Sequence, residues 1–249
     1  MKLKTLFFLV ALLGSLHAQT IKVAVAANVS YAIDDLKKEF NKLYPDIKVQ
    51  VILGSTGKLT AQIKHNAPYQ ILMGANMKYP EALYAEDFAV TRPIVYVQGS
   101  LAYLSAKKRD FGSIMDLLQS DSIKKIAVAN PKTAPYGIAT AEALKNAKIY
   151  DKIKSKFVYG ESISQTVTYA TKATDIGFIA KSSLFSPRMT QFKKGENWAD
   201  VDPKLYTPID QGIVILKNGE GSAEVSAFYA FILSKKAKII FEKFGYIIP

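Results

Sequence analysis

The chain of 249 residues contains no cysteine. That absence excludes disulfides, thiolate metal sites and a cysteine nucleophile. It also excludes a lipid anchor attached through a cysteine behind a cleaved leader. Histidine is scarce: the two are His17 and His65, so a histidine metal cluster lacks its residues, and a serine–histidine relay would have to rest on His65, which argues against one. A Gly-x-Ser-x-Gly elbow is missing. Long hydrophobic runs are missing too, apart from residues 6–13, which are too few to span a bilayer. Lys2 and Lys4 precede that run, Gly14 and Ser15 break it, and Ala18 supplies a small residue before Gln19. Residues 1–18 are therefore expected to be a secretory signal peptide. An exported, unanchored, cysteine-free chain fits a bacterial periplasm.

What remains is apolar enough to fold, with 49% hydrophobic residues and enough length for one large domain or two smaller ones. The formal net charge is +12. The lysines are scattered rather than massed beside aromatics, which reads as a solvated basic surface and not as a nucleic-acid site. Such a field still attracts anions.

Apolar periodicity alternates between strand and helix. Residues 21–25 and 49–53 read as strands, and 71–74 as a third. Ala32, Ile33, Leu36, Phe40 and Leu43 lie at helical spacing between the first two, and Leu59 and Ile63 begin another helix before the third. Strand–helix–strand at this spacing implies parallel pairing with helical crossovers. After Pro93 the pattern shifts to two extended apolar runs, 94–97 and 101–104. A second α/β stretch follows, with strands at 126–129 and 176–179 and a helix from about 138 to 147. A buried strand at 213–216 precedes terminal helices whose expected core positions are Val225, Phe228, Ile232, Ile239, Ile240 and Phe244.

Four segments join a strand to a helix and carry small or hydroxyl residues at the junction: 26–30 (Ala-Ala-Asn-Val-Ser), 54–58 (Gly-Ser-Thr-Gly-Lys), 130–137 (Asn-Pro-Lys-Thr-Ala-Pro-Tyr-Gly) and 160–164 (Gly-Glu-Ser-Ile-Ser). First-turn amides lack intrahelical partners and the helix dipole favours negative charge there, so such junctions hold anions. The second segment is not a phosphate loop, because Ile52 and Leu59 stand where that motif needs Gly and Ser or Thr. Each segment alone also reads as ordinary helix capping, and Tyr136 alone as a core residue. Two of them at the ends of neighbouring parallel strands favour a ligand, which binds at that edge of an open α/β sheet. Asp34 and Asp35 support the first turn of their helix, and His65 reads as solvated.

The order and spacing of several strings resemble the periplasmic molybdate-binding proteins of ABC transporters: Ala-Ala-Asn at 26–28, Gly-Ser-Thr-Gly-Lys-Leu at 54–59, Ala-Gln-Ile at 61–63, Ile-Ala-Val-Ala-Asn-Pro at 126–131, Pro-Tyr-Gly at 135–137 and Phe-Glu-Lys-Phe-Gly at 241–245. The resemblance runs over nearly the whole chain after residue 18. It implies an α/β fold of the two-lobed, type II periplasmic binding protein kind, each lobe a mixed or parallel sheet flanked by helices, with the ligand cleft between them. The division expected is 19–99 with 212–249 as one lobe and 100–211 as the other.

The ligand positions implied are Asn28, Thr56 or its neighbour Ser55, Tyr136, and the backbone N–H of Ile163. Some members place a tyrosine after the strand that ends near residue 179; Ala180 stands there, a departure for which Tyr136 can compensate. The resemblance implies capture of molybdate or tungstate through neutral donors, delivery to an ABC permease, a monomer, no catalysis and no cofactor or metal beyond the oxyanion. A receptor for another oxyanion or a small organic solute is the first alternative, an exported hydrolase the second. Molybdate is fully deprotonated at neutral pH, so it calls for donors and no acceptor.

Overall fold

The computed structural model describes residues 19–249; the expected signal peptide lies outside the described residues. In chain order the strands are β1 (Gln19–Ala26), β2 (Ile47–Gly54), β3 (Ile71–Met73), β4 (Ile94–Gly99), β5 (Leu101–Leu104), β6 (Ile126–Ala129), β7 (Phe157–Gly160), β8 (Ile176–Ala180), β9 (Trp198–Asp200) and β10 (Ile209–Ile215). The helices are α1 (Ile33–Leu43), α2 (Thr56–Lys64), α3 (Lys78–Ala85), α4 (Ile114–Gln119), α5 (Pro135–Asn146), α6 (Tyr150–Ile153), α7 (Ile163–Lys172), α8 (Ala223–Leu233) and α9 (Lys235–Lys243).

Two five-stranded sheets result, in the orders β2-β1-β3-β10-β4 and β7-β6-β8-β5-β9. β1 runs parallel to both β2 and β3, whereas β10 is antiparallel to β3 and β4, so the first sheet is mixed. The second has the same mixed character, parallel at β7-β6-β8 and antiparallel around β5. The chain passes from the first sheet to the second through Ser100, directly between β4 and β5, and returns between β9 and β10. Ile209, Asp210 and Gln211 pair with β4 in the first sheet, although the expected division at 212 assigned them to the other lobe. Asp210 and Gln211 interrupt the apolar run that marks the strand from 213, which hid its start.

Both sheets are covered on both faces, and side-chain alternation along the strands sorts the core. Val23, Val25, Ile71, Met73, Ile213 and Ile215 face α1, α8 and α9, while Ala24, Leu72 and Val214 face α2 and α3. Phe40 of α1 meets Phe228 of α8 edge to face at 5.0 Å; truncating such a buried ring to Ala costs about 3–5 kcal/mol. In the second sheet Leu101, Tyr103, Ile126, Val128, Ile176 and Phe178 face α4, α5 and α6, and Ala102, Leu104, Ala127 and Ile179 face α7. Ile239 is a correction to the expected core, since it is 46% exposed. The inward stripe of α9 is Ala237, Ile240, Phe241 and Phe244, and Ile239 lies off it by one residue of helical phase.

Candidate functional site

Parallel pairing sets the site. β1 and β2 are in register to their last residues, Ala26 opposite Gly54, so their C-terminal ends lie side by side. β6 and β7 do the same in the second sheet, Ala129 opposite Gly160. Each strand then gives way to a helical start: the 3-10 turn Ala27–Tyr31, α2, α5 and α7. The four junctions converge on one small cavity. Asn28, Ser55, Thr56, Tyr136 and Ile163 all line it, so the structure brings together every residue that the sequence singled out. The rest of the wall is small or apolar, including Ala26, Ala27, Ala75 and Ala134.

Capping and ligation are distinguishable here. Ser162 is a working cap, its hydroxyl accepting from the Gln165 amide. Ser55 holds the same position before α2 but makes no such bond. Its Oγ is buried without a hydrogen-bond partner among the described residues. A buried hydroxyl left unsatisfied costs about 1–3 kcal/mol, and this one stands at a cavity wall. Thr56 is engaged as an acceptor, its Oγ1 taking the Ala75 amide at 3.0 Å, which leaves its own proton free. Thr56, Tyr136 and Ile163 stand in the first turns of α2, α5 and α7, where amides have no intrahelical acceptor.

Asn28 is not a cap. Its Nδ2 donates to Gln211 Oε1 and to the Tyr246 hydroxyl, both at 2.9 Å, and its Oδ1 has no partner among the described residues. Gln211 is the centre of this buried cluster. It accepts from the Tyr96 hydroxyl at 3.0 Å and donates from Nε2 to the Tyr136 hydroxyl at 3.1 Å. Gly99 makes the arrangement fit, because a Cβ there would overlap the Tyr136 hydroxyl and Gln211 Nε2. A register shift between Gln211 and Gly212 places Gln211 opposite Val97 and Gly212 opposite Val95, leaving Tyr96 as the extra residue of a bulge. Bulges re-aim side chains beside functional sites.

Burial raises the Tyr96 and Tyr136 hydroxyls well above the ordinary tyrosine range, with neighbouring tyrosines adding to the effect. Tyr246 is raised too, again chiefly by burial. All three are neutral at physiological pH. No charged side chain lines the cavity. Glu161, close to the site in sequence, points to solvent and pairs with Lys58 across the mouth of the cleft. Ala180 is fully buried at the end of β8 and brings no polar side-chain atom. The hydroxyls beneath the cavity come instead from Tyr96, Tyr136 and Tyr246. Of the residues that sequence reasoning missed, Gln211 had a signal, as a lone amide in an otherwise apolar stretch, 211–216. Tyr246, close to the C-terminus, had none.

Direct bonds close the cleft. The Gly57 amide donates to Thr133 O at 2.9 Å, Ser164 Oγ to Ala27 O at 2.8 Å, and Ser182 Oγ to Asn28 O at 3.1 Å. Two α/β lobes joined by crossing strands and shut over a small cavity where four helical starts meet define a type II binding protein of the periplasmic kind. The profile of bacterial extracellular solute-binding proteins matches residues 21–247, and the chain belongs to that family. The molybdate-binding protein ModA of Azotobacter vinelandii is 32% identical over 232 residues, covering 92% of this chain and 90% of the relative. That of Rhodobacter capsulatus is 31% identical over 235 residues, covering 92% and 89%. The structure of the Azotobacter vinelandii periplasmic molybdate-binding protein superposes with a TM-score of 0.85 at 29% identity, covering 92% of this chain and 99% of that one.

Proposed function

We propose that this protein captures molybdate, and also tungstate, in the periplasm and delivers it as a monomer to the membrane permease of an ABC transporter. The observation that carries the reading is the Ser55 hydroxyl, buried without a partner among the described residues, at a cavity whose described lining has no charged side chain. Ser55 and Thr56 supply O–H donors, Asn28 stands beside them on the same lobe, and Tyr136 of α5 and the Ile163 amide of α7 complete the wall from the other lobe. A micromolar to nanomolar site requires about 8–12 kcal/mol net. Each hydrogen bond to a charged group contributes about 1.5–3 kcal/mol, and burying a dianion is costly, so several donors must converge. They come from both lobes, so the anion favours the closed arrangement, which a permease can recognise. The moving bodies are the lobe of residues 19–99 with the C-terminal segment and the lobe that begins at residue 100. The role is carriage, without turnover or cofactor.

The test is thermal unfolding in the presence of molybdate, tungstate, sulfate or phosphate. A ligand at about 100 times its Kd adds about 2.7 kcal/mol of stability. Stabilisation is expected from molybdate and tungstate. A shift from phosphate or an organic solute alone would overturn the assignment.

A further inference from the structure

The cavity wall carries one feature that does not suit a fully deprotonated oxyanion: Asn28 Oδ1, an acceptor without a partner among the described residues, in a residue that is 1% exposed. The polarity of Asn28 is dictated from behind. Gln211 Oε1 already accepts from Tyr96, and it takes Asn28 Nδ2 as its second donor. An amide's oxygen and NH2 group are nearly equal in size, so half a turn exchanges donor for acceptor with little change of shape.

We propose that Gln211 is a positioning residue that couples its own amide to that of Asn28, the two turning over together when a fully deprotonated oxyanion enters. This rests on the oxyanion reading of the site. In the turned arrangement Gln211 Nε2 donates to Asn28 Oδ1 and to the Tyr96 hydroxyl. Tyr96 keeps an acceptor for its own proton in Gly74 O, at 3.3 Å. Gln211 Oε1 then accepts from Tyr136, whose hydroxyl is now 3.1 Å from Nε2; Tyr136 meets the anion through its first-turn amide instead. The Tyr246 proton, which serves Asn28 O at 2.9 Å, turns to Asn28 Oδ1, because Ser182 Oγ also donates to that carbonyl at 3.1 Å. Every group in the cluster stays paired, and Asn28 Nδ2 takes the place of Oδ1 at the wall. Neither amide can turn alone, because like groups would then face each other between Asn28 and Gln211. Gly99 and the bulge at Gln211 provide the room and the aim for both arrangements.

Side-chain NMR of protein labelled with 15N at Asn and Gln, with and without sodium molybdate, tests this directly. Without molybdate the Gln211 amide protons should lie near the Tyr136 ring and those of Asn28 near Tyr246. With molybdate the Gln211 protons should move to the Tyr96 ring and those of Asn28 should leave Tyr246. Molybdate binding with both sets of neighbours unchanged overturns the coupled turn and leaves the molybdate reading standing. Failure to bind molybdate, with hydrogenphosphate binding and the neighbours unchanged, overturns both, because Asn28 Oδ1 then accepts the ligand's proton. Gln211→Met, which keeps the length of the side chain but none of its polarity, should weaken molybdate binding roughly 5–100-fold. Unchanged affinity in that variant also overturns the proposal.

Discussion

Ser55 shows how stability and binding separate at a single residue. Its hydroxyl is buried at a cost and makes no bond among the described residues. Ser55→Ala should therefore leave the protein as stable as before or up to about 1–3 kcal/mol more stable. The same change should weaken molybdate binding about 10–150-fold, the value of one hydrogen bond to a charged group. Thermal melts without ligand and a titration with molybdate read the two effects separately; a loss of stability without loss of affinity would contradict the assignment. Tyr136→Phe should behave differently, lowering both, because Gln211 Nε2 loses its partner. At this scale the sequence pointed to five residues of the wall through one local pattern, small or hydroxyl groups where a strand opens a helix. It could not separate Ser55 from Thr56, since the distinction is whether Ala75 or the cavity faces each hydroxyl. Ala75 comes from a different strand–helix connection. Tyr96 and Tyr246 were out of reach for the same reason, and the signal at Gln211 named no partner: the hydrogen bonds that tie these three to one another, to Asn28 and to Tyr136 span 75 to 218 residues of sequence.

Among the elements, α2 is where a junction serves as both ligand wall and closing surface. Its second residue, Gly57, gives its amide to Thr133 of the facing lobe at 2.9 Å, and a Cβ there would lie 2.7 Å from the Tyr79 hydroxyl and 2.9 Å from Thr133 O. Gly57→Ala should change the stability of the protein without ligand by less than the ~1 kcal/mol that Ala gains over Gly in a helix interior, since the residue stands in the first turn of α2 and the Tyr79 hydroxyl must shift. It should nevertheless weaken molybdate binding, because the lobes meet before the bonds across the cleft form. Small-angle scattering with and without molybdate checks this: the wild type should contract more than the variant. β1, β2, β3 and α1 were legible because their periodicity is set by a face that must be buried. The start of α5 was placed near residue 138, whereas it begins at Pro135. Proline at the first helical position is a start signal, masked here by Pro131 and the preceding turn. Short elements such as α4, α6 and β9 carry too few residues for periodicity to register.

For the whole molecule, charge and burial predict the response to pH. Several tyrosines are raised above their ordinary value of 10.0, Tyr31 to about 12, chiefly by burial. The folded chain therefore keeps protons that the unfolded chain releases above pH 10. Linkage then makes stability fall as pH rises beyond about 10, while it is fully retained below. Melting temperature against pH should show this alkaline loss. Molybdate affinity should stay flat between about pH 6 and 9, where no group lining the cavity titrates. The two-lobed organisation was visible in the alternation of strands and helices and in the resemblance. Closure was not, because it depends on contacts such as Gly57–Thr133 and Ser182–Asn28 that no local pattern announces.

The position of β10 has a consequence for how the chain comes together. It lies between β3 and β4, so β4 has no neighbour in its sheet until residues 209–215 arrive. The second sheet draws on residues 101–200 alone. A chain that emerges N-terminus first can complete the second sheet while the first still waits for a strand more than a hundred residues away. Long-range pairings of that kind are slow, because the closure of the intervening loop precedes any gain in contacts. Pulsed hydrogen exchange during refolding should find the amides of β5, β6 and β8 protected before those of β4. Simultaneous protection would show that the two sheets assemble as one cooperative unit.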